Sequence, residues 1–297
     1  MIPSFPDFKE LSLDDIPELN AALALKKRSV CELALANLFI WKDIDNPKIT
    51  KINDNICILT DFKIESPFFF EPLGDNLLSD TLEKCFTMAG KISRVSADFL
   101  QKLDETKYFH KCLRSQGDYI YLTKDLAELL GKKYDGKRNH IKKFTRLFPG
   151  YSYVRLTKEM SDEAMALFEK WQMVRMESQP LTKVSYEAQK MAIKRVFEYF
   201  DILGLFGGAI FANDRMKAFT IGSPVSDEMV SIHFSYTDPA ANGASQTVLW
   251  EGCNKTYDKY KYVNLEQDLG ILGLRKAKLS YHPLKLEDKF EITKKIL

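Results

Sequence analysis

The chain has 297 residues, of which 45% are apolar and 28% charged, and its formal net charge is +2. This composition is that of a globular protein, so it excludes a disordered chain or a fibrous repeat. The nearly balanced charge argues against nonspecific coating of nucleic acid. No apolar run reaches the ~18 residues that a membrane span needs, and the N-terminus lacks the pattern of a signal peptide. We therefore expect a soluble cytoplasmic protein with two domains of about 150 residues each.

The cysteines and histidines are scattered along the chain. No pair of cysteines has the Cys-x-x-Cys spacing, and the four histidines stand apart from one another. A disulfide framework or a zinc site requires closer spacing than this. We expect reduced cysteines in the core and no metal site. The cysteines are Cys31, Cys57, Cys85, Cys112 and Cys253.

Residues 1–148 form the first predicted domain. Apolar residues recur at helical spacing in some segments and alternate in others. The turn-forming run Asn53-Asp54-Asn55 predicts a hairpin between the first two strands. Helices are predicted at Leu13–Arg28, Glu32–Trp41, Leu77–Met88 and Ala97–Leu103, and strands at Lys48–Asn53, Ile56–Phe62, Pro67–Phe70, Ile92–Val95, Tyr108–Leu113 and Tyr119–Leu122.

A basic helix is predicted between Lys132 and Arg146, where seven Lys or Arg residues accompany one Asp. Its apolar residues recur at helical spacing, so one face packs and the other is basic. Two interpretations remain open. The basic face is solvated, or it binds a phosphate-rich partner such as a coenzyme, the acceptor end of an aminoacyl-tRNA or an anionic lipid headgroup. Lys137 and Arg138 are the candidate phosphate-binding residues of this helix.

Residues 149–297 form the second predicted domain. Asn213-Asp214-Arg215 predicts a tight turn between its second and third strands. Strands are predicted at Tyr151–Leu156, Gly204–Ala212, Met216–Gly222, Met229–Tyr236, Tyr262–Leu265 and near Phe290–Ile292. Helices are predicted at Lys158–Met176, Tyr186–Tyr199, through Val248 and Cys253, and at Leu272–Tyr281.

The order of these elements resembles that of the GNAT acyltransferase fold. The predicted elements of the first domain fit the same order. The resemblance in element order is an analogy at the level of the fold and does not assign a reaction. We expect an α+β protein with two tandem GNAT-like domains, 1–148 and 149–297. Each domain would contain a mixed, mainly antiparallel sheet flanked by helices.

A glycine-containing loop leads into the helix of the second domain. In typical GNAT enzymes the loop at this position cradles the pyrophosphate of coenzyme A, because free backbone N–H groups at a helix start favour anions. The match is degenerate, and a plain helix start is the alternative. On the phosphate-binding interpretation, Gly243→Val blocks the donor and leaves the fold intact. The candidate residues are Asn242, Gly243, Ala244 and Ser245.

The segment from Tyr262 to Pro283 resembles the closing motif of a bacterial family of uncharacterised proteins. That family is related to the C-terminal domain of phosphatidylglycerol lysyltransferases. Leu265 replaces an Arg that is usual there, and two earlier segments, 31–41 and 131–140, also match. The resemblance implies an aminoacyl-tRNA donor, whereas the general fold implies acyl-coenzyme A. It also implies that the membrane-embedded portion of the lipid-modifying relatives is missing here. The matching residues are Asn264, Glu266, Asp268, Leu269, Gly270 and the run 273–281.

The closing motif supplies most candidate catalytic groups. Glu266 is the candidate base for an amine nucleophile, and Asp268 either shares that role or caps the helix that follows. Tyr281 could return a proton to the leaving group, and Arg275 on the same helix could contact a charged substrate. His233 is either a packed strand residue or a proton carrier. The carboxylate that relatives carry on the His233 strand is missing, since this chain continues Phe234-Ser235-Tyr236.

These residues predict a soluble acyl- or aminoacyltransferase. It would move an acyl group from acyl-coenzyme A or aminoacyl-tRNA to an amine or hydroxyl of a small-molecule or peptide acceptor, with no tightly bound cofactor. The alternative is a catalytically inactive GNAT-like module that binds a phosphate-containing ligand.

Overall fold

The computed structural model describes residues 1–26, 29–61, 65–178 and 183–295. The predicted helix end at Arg28 and strand end at Phe62 lie outside the described residues. The chain divides into two compact units. The first unit comprises Met1–Asp118, Gln267–Leu272 and Leu286–Leu297, and the second comprises Tyr119–Glu266 and Gly273–Lys285.

The described elements follow the predicted order closely. The strands are β1 (Lys9–Glu10), β2 (Lys48–Ile52), β3 (Asn55–Thr60), β4 (Phe68–Phe69), β5 (Ile92–Ser96), β6 (Tyr108–Cys112), β7 (Asp118–Leu122), β8 (Ser152–Arg155), β9 (Phe206–Ala212), β10 (Arg215–Pro224), β11 (Met229–Thr237), β12 (Tyr262–Asn264), β13 (Lys285–Glu287) and β14 (Lys289–Lys294). The helices are α1 (Ile16–Ala24), α2 (Leu35–Ile40), α3 (Lys42–Asp45), α4 (Leu78–Met88), α5 (Ala97–Leu100), α6 (Thr123–Glu128), α7 (Asp135–Leu147), α8 (Ser161–Ser178), α9 (Lys183–Glu198), α10 (Ala244–Lys255) and α11 (Leu272–Leu279).

Both predicted tight turns are confirmed. Asn53 and Asp54 join β2 to β3, and Asn213 and Asp214 join β9 to β10. All four residues have positive φ, between 51° and 64°. Two consecutive residues of positive φ make the hairpin turn whose twist matches that of the flanking strands, and Asn and Asp tolerate it best. The local sequence therefore fixes the register of these two hairpins.

The described residues form two seven-stranded mixed sheets. The first sheet has the order β1-β2-β3-β4-β5-β14-β6, and the second has the order β13-β7-β12-β11-β10-β9-β8. The pair β4–β5 is parallel in the first sheet, and β11–β12 is parallel in the second. Most other strand pairs are antiparallel hairpins or meanders, in agreement with the predicted α+β class.

Each sheet takes one inner strand from the other half of the sequence. β14 lies between β5 and β6 in the first sheet, and β7 lies between β12 and β13 in the second. The compact units therefore do not coincide with the predicted halves 1–148 and 149–297. Residues 119–148 pack with the second sheet, and the final strand completes the first.

Helices cover both faces of the second sheet. On one face, Phe168 and Trp171 of α8 contact Tyr236 of β11, which contacts Phe219 of β10. On the other face, Val248 of α10 packs in a cluster with Ile210 and Ala218. Phe219 and Ala218 are neighbours on one strand, so their side chains point to opposite faces. None of the described helices combines the length and the apolar composition needed to cross a bilayer.

Candidate functional site

The parallel strands β11 and β12 part at the end of β12. Their register pairs Ser231 with Asn264, where β12 ends, whereas β11 continues to Thr237. On its other side Ser231 pairs with Ser223 of β10. Three buried polar residues from adjacent strands therefore form one row across the sheet. Polar side chains in such a row need partners within the protein, because water does not reach them.

A β-bulge places His233 beside this row. Ile221 pairs with Phe234 and Gly222 pairs with Ile232, so His233 is the extra residue on β11. A bulge breaks the alternation of side chains and redirects the residue that it contains. The redirected imidazole reaches Ser223, the residue after Gly222 on β10.

His233 and Glu266 are in direct contact. The Nδ1 atom of His233 lies 2.7 Å from Oε1 of Glu266, and Nε2 lies 2.8 Å from the Ser223 hydroxyl oxygen. The Ser231 hydroxyl also donates to Glu266 Oε1, at 2.9 Å. An ionised carboxylate only accepts hydrogen bonds, so Nδ1 of His233 donates to Glu266; in a neutral imidazole with this tautomer, Nε2 accepts from the Ser223 hydroxyl. The structure thus brings together two of the predicted catalytic residues.

Glu266 is the outer member of this cluster. Its side chain is 15% exposed, whereas that of His233 is fully buried. The Glu266 backbone has a φ of 58°, and its N–H donates to the Asn264 side-chain oxygen at 2.7 Å. A non-glycine residue in this region is strained and is held there by its surroundings. The carboxylate is therefore fixed in orientation and reachable from outside.

Asp268 has a structural environment that differs from that of Glu266. It is fully buried, and one carboxylate oxygen accepts from Arg114 at 3.1 Å. The other accepts the N–H of Gly270 at 2.8 Å, which closes a tight turn. Asp268 belongs to the first unit and Glu266 to the second. These bonds favour the turn-holding interpretation of Asp268.

Tyr281 lies on the other face of the second sheet from Glu266. Its ring packs edge-on against Tyr121, which pairs with Val263, the residue before Asn264. Successive strand residues point to opposite faces, so Tyr281 and the Asn264 row are on different sides. Its hydroxyl is buried and has no hydrogen-bond partner among the described residues, and burial raises its pKa. The Nζ of Lys137 sits 3.7 Å from the ring centre.

The glycine of the predicted phosphate loop serves the packing of two helices. Gly243 has a φ of 90°, and a Cβ there would lie 2.2 Å from the His140 carbonyl oxygen of α7. The absence of a side chain is therefore required for α7 to pack on the start of α10. The expectation that Gly243→Val leaves the fold intact is wrong for this reason. Asn242 and Ser245 are exposed, and Ala244 is buried.

We expect Gly243→Ala to lower the free energy of unfolding by roughly 2–4 kcal/mol, since it adds both backbone strain and a steric clash. Gly136→Ala is the matched control, because no heavy atom lies within 4 Å of its Cβ position. The control should leave stability unchanged or slightly higher. Urea midpoints of the two variants measure the difference, and equal midpoints would contradict the packing role of Gly243.

The basic helix is confirmed as α7, and its cations differ in their surroundings. Arg138 donates to the carbonyls of Leu129 and Gly131 and pairs with Asp135, so it holds the turn before the helix. Arg275 lies on α11 and is half-buried. On the outer face of α7 a depression of about 380 Å³ is lined by Asn139, Lys142, Thr145 and Arg146.

The first unit contains a buried charged cluster that the sequence did not predict. The Nζ of Lys289 lies 2.5 Å from Glu32, 2.7 Å from Asp118 and 3.3 Å from the sulfur of Cys31. Burial alone lowers the pKa of this lysine, but the attraction of Asp118, Cys31 and Glu32 outweighs it and the net shift is upward. Glu32 and Asp118 are far apart in sequence, so no local pattern predicts that both contact Lys289. Cys31, Glu32 and Asp118 are close enough together to form a metal-ligand set, and the ammonium bonds to all three.

Comparison with known proteins identifies the family. The family model of the phosphatidylglycerol lysyltransferase C-terminal domain matches residues 23–293. The chain belongs to this family. The resemblance found in the closing motif is thereby confirmed. No curated protein matches the chain.

Solved structures support the same fold. A conserved protein of unknown function from Bacteroides thetaiotaomicron VPI-5482 is 31% identical, with a TM-score of 0.88 over 99% of this chain and 100% of that one. L-PGS from Bacillus licheniformis is 14% identical, with a TM-score of 0.63 over 99% and 93%. A tandem GNAT protein from the clavulanic acid biosynthesis pathway is 8% identical, with a TM-score of 0.50 over 97% and 98%. The expected tandem GNAT-like fold is confirmed.

Proposed function

We propose that the protein transfers an acyl or aminoacyl group to an amine or hydroxyl acceptor, with Glu266 as the general base. The observation that carries the proposal is the 2.7 Å contact between His233 and Glu266 where β11 and β12 part. A carboxylate thereby meets the His233 strand from the end of β12. Family membership and the GNAT-like fold support a reaction of the acyl-transfer type.

Glu266 would accept a proton from the incoming ammonium or hydroxyl. The freed lone pair attacks the carbonyl carbon of the donor, a C–N or C–O bond forms, and the bond to the thiolate or ribose oxygen breaks. A positioned carboxylate typically accelerates such a step by roughly 10²–10⁴-fold. The proton on Glu266 then passes to the leaving group, so the base is restored. An ammonium acceptor gives up two protons in forming the amide, and the second is released to solvent.

His233 and Ser223 are positioning residues in this scheme. The Nδ1–H of His233 donates to Oε1 of Glu266 and so orients the carboxylate. The Ser223 hydroxyl bonds to Nε2 and favours the tautomer with its proton on Nδ1. His233 is too deeply buried to touch a substrate itself, since its side chain has no exposed surface. A base that is fixed before the substrate arrives loses little entropy on reaching the transition state.

The donor carries phosphate in both versions of the proposal, acyl-coenzyme A and aminoacyl-tRNA. The start of α10 is covered by α7 at Gly243, so the outer face of α7 is the proposed contact for the donor phosphates. Because α7 packs on the face of the second sheet opposite to Glu266, the donor would pass the gap where β11 and β12 part to bring its carbonyl to Glu266. Lys142 and Arg146 line the depression there and are the candidate contacts. The reduced cysteines and the phosphate-bearing donors agree with a cytoplasmic setting.

We expect the double variant Lys142→Gln, Arg146→Gln to weaken donor binding and to flatten its salt dependence. Each lost phosphate contact lowers the slope of log affinity against log salt by roughly 0.7–0.9. Lys84→Gln, at a solvent-facing position of α4 in the first unit, is the control and should leave the slope unchanged. Fluorescence titration at several salt concentrations measures this slope. An unchanged slope in the double variant would mean that the basic face of α7 is solvated and does not bind phosphate.

A ligand and product screen tests the proposal as a whole. Thermal shift with coenzyme A, acetyl-coenzyme A and aminoacyl-tRNA identifies the donor, because a ligand at a hundred times its dissociation constant stabilises by roughly 2.7 kcal/mol. Mass spectrometry then follows acyl transfer to a panel of amines and hydroxyl compounds. If a donor binds but no acyl group is transferred to any member of the panel, the protein is a phosphate-binding module and not an enzyme.

A further inference from the structure

β6 is an open edge of the first sheet. It pairs with β14 on one side and has no strand on its other side among the described residues. Residues 109–112, which are all of this strand except its first residue, are exposed. The other edge strands of the two sheets are β1, β8 and β13, and each is shorter than β6. A long exposed edge presents unpaired backbone groups that can pair with another chain.

The pairing with β14 decides which backbone groups of β6 face outward. The N–H of Leu113 donates to the carbonyl of Lys289, and the N–H of Lys295 donates to the carbonyl of Lys107. In an antiparallel ladder, residues bonded in this way alternate with residues whose backbone groups point away from the partner strand. The outward-facing residues of β6 are therefore Tyr108, His110 and Cys112.

This arrangement is complementary to itself. Consider a second copy of β6 that runs antiparallel, with the two His110 residues opposite each other. Tyr108 of each copy then lies opposite Cys112 of the other, and all three pairs are positions at which N–H and C=O groups exchange hydrogen bonds. The intervening pairs bring Lys111 opposite Phe109, which is 60% exposed. Like charges therefore do not meet, and a cation can contact an aromatic ring.

The charges at the two ends of β6 favour the same antiparallel partner. At the start of the strand, Lys107 pairs with Asp104, and Glu105 is exposed. At its end, Arg114 bonds to Asp268 and keeps 42% of its side chain exposed. Antiparallel pairing brings the start of each strand to the end of the other, so Glu105 and Arg114 can form an ion pair between copies. Complementary charges of this kind fix the register of an interface.

A depression lined largely by apolar residues lies beside this edge. It has a volume of about 250 Å³, and Leu100, Leu103, Tyr108 and Ile292 are among its lining residues. Directly paired residues point to the same face of a sheet, so Cys112 of the second copy would lie at the rim of the depression. A thiol behaves as a small apolar group and suits this position. Strand addition takes affinity from backbone bonds and specificity from such pockets.

We propose that β6 is a dimer interface, at which two copies of this chain form a continuous sheet about a two-fold axis at His110. A short edge is small compared with the roughly 1,200–2,000 Å² that stable interfaces bury, so the dimer dissociates on dilution. β6 belongs to the first unit and Glu266 to the second. The interface therefore stands whether or not Glu266 catalyses acyl transfer.

The first test is disulfide trapping of the full chain in a Cys112→Ser background. His110→Cys places two thiols at opposed positions whose Cα atoms lie about 5.5 Å apart, which is within the range of a disulfide. Lys107→Cys is the matched control, because Lys107 is also exposed. The register holds its two copies about 20 Å apart.

With oxidised glutathione as the oxidant, we expect His110→Cys to form a crosslinked dimer at least roughly tenfold faster than Lys107→Cys. Non-reducing electrophoresis measures both rates. Equal rates would indicate random collision of exposed thiols, and either equal rates or no crosslinking of His110→Cys would overturn the proposal.

Sedimentation equilibrium supplies a second measurement. The unmodified chain should pass from monomer to dimer as its concentration rises through the micromolar range. His110→Pro removes the N–H that faces the second copy and keeps the bonds to β14, so we expect dimerisation to weaken roughly tenfold or more. Arg155→Pro on the edge strand β8 is the control, because the N–H of Arg155 also faces outward. It should leave dimerisation unchanged.

Urea midpoints of the two proline variants check that both are folded. Equal weakening in both variants would contradict an interface at β6. An unmodified chain that stays monomeric at every concentration would also overturn the dimer, and the edge would then be open to a different extended chain.

Discussion

Glu266→Gln is expected to lower turnover by roughly 10²–10⁴-fold, because it removes the proton acceptor. The amide oxygen of Gln can still accept from His233 and Ser231, which bond to the same carboxylate oxygen. We therefore expect donor affinity and the urea midpoint to change little. Single-turnover measurement of acyl transfer, with the donor identified by thermal shift, gives the rate.

Glu228→Gln is the matched control for this variant, since Glu228 is exposed and precedes β11. It should retain the rate of the unmodified protein. Full activity in Glu266→Gln would exclude this carboxylate from the mechanism. Equal losses in both variants would point to a general effect on the fold instead of the loss of a base.

Lys289→Met should lower the free energy of unfolding by roughly 3–5 kcal/mol, which is the usual cost of breaking a buried ion pair from one side. The ammonium is fully buried between Glu32 and Asp118, and Met leaves both carboxylates without its charge. A loss of that size is a large fraction of the stability of a typical domain. Urea denaturation followed by circular dichroism measures it.

Lys294→Met on the same strand is the control. Lys294 pairs with Glu83 on the surface, where its side chain is 52% exposed. Exposed pairs contribute less than about 1 kcal/mol, so this variant should resemble the unmodified protein. A Lys289→Met protein with an unchanged midpoint would show that the buried cluster contributes little to stability.

Local patterns predicted the elements well. The Asn-Asp turns fix their hairpins because few other residues accept two positive φ angles in succession. Helix starts were less accurate. The first helix was predicted to begin at Leu13, but it begins three residues later, at Ile16. Pro17 fits its first turn, and residues Leu13–Asp15 form a 3₁₀ turn instead.

The parts of the site that depend on distant contacts were only partly predictable. Glu266 and His233 were named from sequence, but their contact depends on a bulge in β11 and on the pairing of β11 with β12. Ser223 and Ser231 were missed, because a serine on a strand looks the same in sequence whether it faces water or a buried imidazole. Gly243 was read as a ligand contact, since sequence does not reveal which backbone approaches a glycine.

The exchange of β7 and β14 has a consequence for how the chain acquires its structure during synthesis. β14 follows every other described strand in chain order, yet it lies between β5 and β6 in the first sheet. Until it is translated, the facing edges of β5 and β6 expose unpaired backbone groups that invite pairing with other chains. Domains usually fold in the order in which they leave the ribosome. Here the first sheet is completed only after the strands of the second have been translated, so the nascent chain is most exposed to misassembly and chaperone capture before β14 emerges.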